Sequence, residues 1–468
     1  MSLKQFTTDF KNIGQQEFLR PNVGYRYFFD VQKSKVYPLQ KNIKLKYILK
    51  ELPTKKLSKG DLGDPEMLID IGNIERRFNN LINVEEVDNI GSDKTILEFG
   101  DIVIPKMQPQ MGNIFLNLDH KRYIGSTELL EYAISSTTNP IFLYYLMTTR
   151  RFLSDLQKLE SGKTHRRVNP IDLLKIKIPY IPKTIQDKIV DQIEPIEKKT
   201  RELRAQITPA QEVINKVFAR EFKFDLDQVY SVEQNKHFTT SDTFTYRNYE
   251  LRSSVRWYKI APIQDVLYKN TQPIIKKLGK FTVETKNGWS PNCKETDSLN
   301  FVFGVNNIST NSVINFDDLK TSDETRSDLT NYLAKDGDFF VSRGNTVDLV
   351  ALASVVVNMP VEKNIIFPDL FIRIDVNEKI LDKKYLAYLF NSVIGRFYFK
   401  YAAKGKNQTM VKVSSGELNN FYIPVPSLKD QQKIVDEIKA ELDKQEEMNN
   451  KIESERNKID EIIENAIK

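Results

Sequence analysis

The sequence predicts an α+β chain made of two similar mixed α/β domains, each closed by a long helical segment. Three observations predict it. Residues 178–193 recur as residues 423–438, 245 positions later: Ile178, Pro179, Gln186, Lys188, Ile189, Val190, Asp191 and Ile193 are answered by Ile423, Pro424, Gln431, Lys433, Ile434, Val435, Asp436 and Ile438. Shorter matches recur at about half of the 468-residue length. After each copy, apolar positions follow alternating steps of three and four. A repeat of this size means two related domains, not a solenoid with a period of tens of residues.

Taken in order, the matches climb in offset, as in a duplicated unit that gained a few loop residues. Leu19, Arg20 and Val23 are answered by Leu251, Arg252 and Val255 at 232; Asn73-Ile74, within Ile71-Gly72-Asn73-Ile74, by Asn307-Ile308 at 234; Gly100-Asp101 by Gly337-Asp338 at 237. The Gly-Asp pairs lead into IVIPKM (102–107) and FFVSR (339–343), turn-then-strand units rich in β-branched and aromatic residues. Residues 349–357, bounded by Asp348 and Asn358, read as a short buried strand. Residues 140–156 and 382–399 have helical spacing, with Phe142, Tyr145 and Phe152 in one, and Tyr385, Tyr388 and Phe397 in the other, as core-packing aromatics.

Ser427, with Asp430 three residues on, is a capping-box pattern opening a helix that continues toward Lys468, about 60 Å at 1.5 Å per residue. Its seam is Met448, Ile452, Ile459, Ile462 and Ala466, with Glu455 at the polar position. The first copy carries Ile189, Ile193, Ile196, Leu203, Ile207, Ala210, Ile214 and Val217, with Thr200 on the seam. Such spacing is that of a coiled coil and needs a partner; the chain supplies two such helices. Pro195 and Pro209 each remove an N–H, so the first segment should kink or break there, and Thr208-Pro209-Ala210-Gln211 resembles a fresh helix start.

At 54.4 kDa the chain exceeds one ordinary core, so two to four domains are expected. Hydrophobic content of 40% with 28% charged residues describes a soluble globular protein. No apolar run approaches the roughly 18 residues of a spanning helix, and the first residues lack a signal-peptide core, so a cytoplasmic protein without a membrane partner is expected. Cys293 is the single cysteine, which excludes an internal disulfide and a cysteine-based zinc site. A net charge of +6 leans gently toward a polyanionic partner.

Catalytic equipment is missing from the pattern. Ser161-Gly162-Lys163-Thr164 resembles the tail of a phosphate-binding loop, but Gln157 stands where the first glycine is needed. Asn139-Pro140 and Asn169-Pro170 lack the second proline and the aromatic of an amino-methyltransferase tetrad and read as turns. His120, His165 and His237 are far apart without ligand spacing, so no metal is expected. Acidic residues from 443 to 455 fit a solvated helix face.

Polar and basic residues recur instead at equivalent places in both halves. Lys163, Thr164, His165, Arg166 and Arg167 precede the first Ile-Pro; Lys404, Lys406, Asn407, Gln408 and Thr409 precede the second. Arg150, Arg151 and Arg396 lie on the helices before them, while Lys106, Gln108 and Gln110 follow one Gly-Asp strand and Arg343 and Asn345 the other. Lysine and arginine neutralise phosphates, and Arg, Asn and Gln make bidentate contacts to guanine and adenine edges, so this group is the candidate DNA contact set. The bland reading of each alone is an exposed polar side chain.

These pieces resemble the specificity (S) subunit of type I restriction–modification systems, whose junction signature is Ile-Pro-x-Pro-[Pro/Ser]-Leu-x-x-Gln-x-x-Ile. The second copy matches throughout, at Ile423, Pro424, Pro426, Ser427, Leu428, Gln431 and Ile434. The first keeps Ile178, Pro179, Gln186 and Ile189, but its Pro182 is displaced by one and Lys183 replaces the leucine. The resemblance implies two target-recognition domains, residues 1–177 and 223–422, separated by an antiparallel pair of long helices, residues 178–222 and 423–468, in a pseudo-two-fold molecule with a coiled-coil spacer. Each domain would read one half of a bipartite double-stranded DNA site. Two modification (M) subunits would dock on the helices, with Ile189, Ile193, Leu203, Ile434, Ile438, Ile452 and Ile459 as candidate contacts, and restriction (R) subunits would join them. This chain would hold no cofactor; S-adenosylmethionine, ATP and magnesium would belong to those partners. Two alternatives are a solitary DNA-recognition phage-defence protein and a protein-binding coiled-coil scaffold.

Overall fold

The computed structural model describes residues 41–162, 166–235, 255–294, 298, 300–316, 319–360, 363–407 and 410–467. The match at residues 19–23 and 251–254, and Lys163, Thr164, His165, His237, Gln408 and Thr409, lie outside them. The chain divides into two units, Met1–Gln206 with Asn450–Lys468, and Ile207–Asn449.

The first unit opens on a ribbon in which Asn42–Lys44 pairs antiparallel with Lys177–Pro179, so the Ile-Pro of the repeat is strand. A four-stranded sheet follows in the order Leu49–Glu51, Leu129–Ile134, Ile102–Pro105, Phe115–Leu116, and a five-stranded sheet carries Lys55–Leu57, Lys94–Leu97, Tyr123–Ser126, Gly60–Ile69 and Glu85–Ile90. In the second unit Ile274–Lys277 pairs with Tyr422–Val425, and the four-stranded sheet runs Thr282–Asn287, Phe371–Val376, Phe339–Ser342, Ala353–Val355. Each unit thus pairs the Ile-Pro strand with a strand near its start and puts the Gly-Asp strand third in its sheet. Proline fits an edge strand because one side of the ladder needs no donor.

The duplicated junction has one physical purpose in both units. Gln186 Nε2 donates to the Ile181 carbonyl (2.7 Å) while its Oε1 accepts from Asn139 N–H (2.7 Å). Gln431 Nε2 donates to the Pro426 carbonyl (2.9 Å) and the Ile380 carbonyl (2.8 Å), and its Oε1 accepts from Asp382 N–H (2.8 Å). Asn139 and Asp382 are themselves N-caps, accepting from Phe142 and Tyr385 N–H, so each glutamine ties the start of the closing helix to the cap of an earlier one. The Asn73 and Asn307 match is equally mechanical: their Oδ1 atoms accept from Asp70 and Gly304 N–H at 2.7 Å, and their amides donate to the Ile82 and Asn315 carbonyls.

Four expectations need revision. Residues 140–156 and 382–399 are each two helices, Pro140–Met147 with Arg150–Lys158 and Lys383–Asn391 with Val393–Ala402, because the Thr149 and Ser392 hydroxyls cap a new start. Of residues 349–357 only Ala353–Val355 is strand, since Ala351 turns the chain at a φ of +59°. The Lys183–Arg204 helix passes through Pro195 without interruption; the break comes before Pro209, which opens Ala210–Phe222. Near the end of Leu428–Ala466 the buried positions are Ile452, Glu455, Arg456, Ile459 and Ile463, with Ile467 just past the helix, while Ile462 and Ala466 are only partly covered. Burial of the adjacent Glu455 and Arg456 together fits a helix laid on a domain core better than a narrow heptad seam.

The cores explain that shift. Ile459, Ile463 and Ile467 share the first unit's core with Ile189, Ile193, Leu143, Phe152 and Ile178. Ile434, Val435 and Ile438 lie in the second unit's core with Phe218, Tyr385, Phe399 and Ile423. The helical acidic run is not wholly solvated either: Glu453 accepts from Arg77 and Arg150, and Glu455 from Lys199.

Candidate nucleic-acid interface

In the first unit, the chain leaving Ile102–Pro105 is paired on both sides. Lys106 N–H donates to the Glu128 carbonyl (2.7 Å), the Lys106 carbonyl accepts from Val168 N–H (2.9 Å), and Gln108 N–H donates to the Arg166 carbonyl (3.1 Å). Bridges join Met107 and Ser161 to Arg167. Backbone pairing therefore gathers Lys106, Gln108, Gln110, Arg166 and Arg167 at one edge. Gln108 sits at a φ of +48°, an uncommon conformation for a side-chain-bearing residue, and opens the tight turn Pro109–Met111. Gly112 closes that turn at a φ of +79°, where a Cβ would lie 2.8 Å from Arg77 Cγ.

Ion pairs sort the cations of this edge. Arg167 is held in a fork by Glu128, with Nε and Nη2 each 3.0 Å from a carboxylate oxygen. Arg166 is exposed, its Nη1 4.0 Å from Glu160 Oε2. Arg150 and Arg151 turn elsewhere: their guanidinium groups meet Glu453 (2.7 Å) and Glu464 (3.4 Å) of the C-terminal helix.

The second unit repeats the arrangement with different residues. Gly344–Asn345 pairs with Met410–Lys412, which pairs with Lys404–Asn407, while Arg343 N–H donates to the Leu370 carbonyl (2.6 Å) and its carbonyl accepts from Val413 N–H (2.9 Å). Arg343, Asn345, Lys404, Lys406 and Asn407 are thereby assembled on one small sheet. Asn345 Oδ1 accepts from Thr346 N–H (2.8 Å), fixing the turn that follows. Lys404 Nζ lies 2.7 Å from Glu417, a buried carboxylate in a capping box with Ser414. Burial pushes the Glu417 carboxyl up, but Lys404 and Ser414 outweigh it and hold the group below its ordinary range. Arg343 is half-buried, and its side chain has no hydrogen-bond or ion-pair partner among the described residues.

Two groups of expected contacts are corrected. Arg396 is 7% exposed inside the second core, where its Nη2 donates to the Asp348 carbonyl (3.1 Å) and to the Val350 carbonyl. Burial, partly opposed by Asp348, lowers its guanidinium to about 10, and the side chain braces the turn at residues 348–351 rather than facing a ligand. The candidate partner contacts Ile189, Ile193, Ile434, Ile438, Ile452 and Ile459 are all buried in the chain itself, and Leu203 is half-buried, so this stripe is taken up by intramolecular packing. Sequence reasoning missed the carboxylates Glu128, Glu160 and Glu417. No local pattern marks them, because Glu128 and Glu417 meet cations in other segments and Glu160 is distinguished only by burial.

No group of metal-ligating side chains occurs among the described residues, and no described helix is long and apolar enough to cross a membrane. Residues 41–210 and 258–457 match a family model described as type I restriction modification DNA specificity domain. Among solved structures, a chain from work on "complex assembly and conformational transition of the type I R-M system" is 16% identical over 92% of this chain and 98% of that one, with a TM-score of 0.34. The HsdS subunit from Thermoanaerobacter tengcongensis is 16% identical over 92% and 97%, with a TM-score of 0.33. The type I restriction-modification S subunit from M. genitalium is 12% identical over 92% and 97%, with a TM-score of 0.35. No curated protein matches.

Proposed function

The chain belongs to the type I restriction-modification DNA specificity family, and on that premise we propose that it selects the DNA sequence for such a complex without catalysing a reaction. Residues 1–177 and 223–422 each read one half of a bipartite site. Residues 178–222 and 423–468 form the spacer between them and dock two methyltransferase subunits through faces that the domain cores leave exposed. Restriction subunits join that assembly, and S-adenosylmethionine, ATP and magnesium are held by the partners.

The observation that carries this reading is the doubled edge. In both units a strand that follows Gly-Asp brings amide and cationic side chains beside a second segment rich in the same chemistry, just ahead of the Ile-Pro strand. Guanidinium and amide groups are the side chains that read purine edges in the major groove, and the lysines supply phosphate neutralisation. Lys163, His165 and Gln408 belong to the same contact set.

Arg166→Ala with Arg167→Ala tests the first edge. Loss of a bidentate arginine–guanine contact weakens discrimination by about 1–3 kcal/mol per base pair. Mapping methylated adenines in the host genome should show relaxed or lost methylation through the first half-site, with the second half-site still read. An unchanged map would place the first DNA face elsewhere.

A further inference from the structure

Where the first domain's edge meets its core, one side chain is chemically unfinished. Glu160 is 8% exposed, yet neither carboxylate oxygen has a hydrogen-bond partner among the described residues. The neighbouring Gln110 Oε1 is also buried and unpartnered. Beyond the Gln110 amide close by, these three buried acceptor atoms have no hydrogen-bond partner among the described residues, an arrangement folded proteins rarely keep without a reason.

The nearest cation is Arg166, whose Nη1 stands 4.0 Å from Glu160 Oε2, just outside hydrogen-bond range. Its side chain is 54% exposed and therefore has room to move. The adjacent Arg167 is already engaged by Glu128, so Arg166 is the guanidinium at this edge whose fork is open. Backbone rigidity is present: Ser161 N–H donates to the Arg167 carbonyl and Arg167 N–H to the Ser161 carbonyl, both at 2.9 Å, which fixes Glu160 and Arg166 on either side of a bridge.

We propose that Glu160 is a positioning residue for base reading: when the first domain engages DNA, its carboxylate takes one edge of the Arg166 guanidinium and aims the other edge at a guanine O6 and N7. The guanidinium suits both tasks, since its five N–H donors are coplanar and present more than one bidentate edge. Closing Arg166 onto Glu160 also completes the buried carboxylate, so the docked geometry satisfies acceptors that the free chain leaves open. Burial pushes the Glu160 carboxyl above its ordinary range while Arg166 and Gln110 oppose that, as expected of a group whose cation is close but not bound. This inference rests on the DNA-reading function proposed above and adds the residue and the base it serves.

The test measures binding of the whole chain to the mapped site and to duplexes in which each base pair of the first half-site is replaced in turn. Wild type, E160Q, R166A and the double variant are compared, with melting temperatures and salt dependence. The expected result is that E160Q and R166A each lose about tenfold preference for guanine at the same single position, and that the double variant loses no more than R166A. E160Q should leave the salt slope unchanged and the melting temperature equal or higher, because it removes an unpaired buried charge. A purely structural Glu160 predicts the opposite: a lower melting temperature with an even loss across all positions. That pattern, or full retention of the guanine preference in E160Q, overturns the inference while the DNA-reading function stands. If wild type binds every duplex equally, the underlying function fails and the inference with it.

Discussion

Arg456→Ala should destabilise the first domain by about 3–5 kcal/mol, the range for breaking a buried hydrogen-bonded charge network by removing one partner. Arg456 is 0% exposed. Its Nη1 meets Asp460 Oδ1 at 2.7 Å, its Nη2 donates to Thr148 Oγ1 at 2.6 Å, and its Nε donates to the Arg77 carbonyl at 3.2 Å. The guanidinium also lies 5.4 Å from the Tyr145 ring centroid. Alanine would leave the Arg77 carbonyl and the Thr148 hydroxyl buried without this donor and open a void beside Tyr145, while Asp460 keeps its bond to Arg77 Nη2 (2.5 Å). For a domain of this size the loss corresponds to roughly 6–20 °C in its melting transition. Calorimetry should show that transition falling while the second domain's holds. An unshifted first transition would mean that residues 450–467 contribute little to that domain.

Gln431→Ala should be the second most damaging single change, at about 2–4 kcal/mol in the second domain. The glutamine is 0% exposed and serves three backbone groups, Asp382 N–H and the Ile380 and Pro426 carbonyls. Leaving buried backbone groups unpaired costs about 1–3 kcal/mol each, reduced where water reaches them. Gln186→Ala, with two such bonds, should cost less and act on the first domain alone. Domain-resolved hydrogen exchange distinguishes the two: each variant should loosen amides only in its own unit. Equal loosening of both units by either variant would contradict the view that the junction is a local hinge pin used twice.

The repeat is legible in the sequence because eight of its positions are identical at one offset, among them the glutamine with a fixed bonding task. What Gln431 binds was not readable, since Asp382 lies 49 residues upstream and no local pattern joins them. The Gly-Asp strands and the closing helices were legible for the same local reasons of strand composition and capping. The buried positions lie one residue on from Ile462 and Ala466, at Ile463 and Ile467, because a helix packed on a globular core buries a wider stripe than a heptad template anticipates. Arg396 carried a usable warning: its helix, Val393–Ala402, is apolar nearly all round, the mark of burial rather than of a basic face. Arg150 and Arg151 carried none, as Glu453 and Glu464 are more than three hundred positions away.

Under the proposed function, two reading edges on one chain recognise two separate half-sites. Its most direct test is equilibrium binding of the chain, with its methyltransferase subunits, to a duplex bearing the mapped site and to duplexes with either half scrambled. Scrambling either half alone should lower affinity at least about a hundredfold, and the residual binding should fall steeply with salt. Indifference to scrambling one half, or no binding to duplex DNA at low salt, would contradict it.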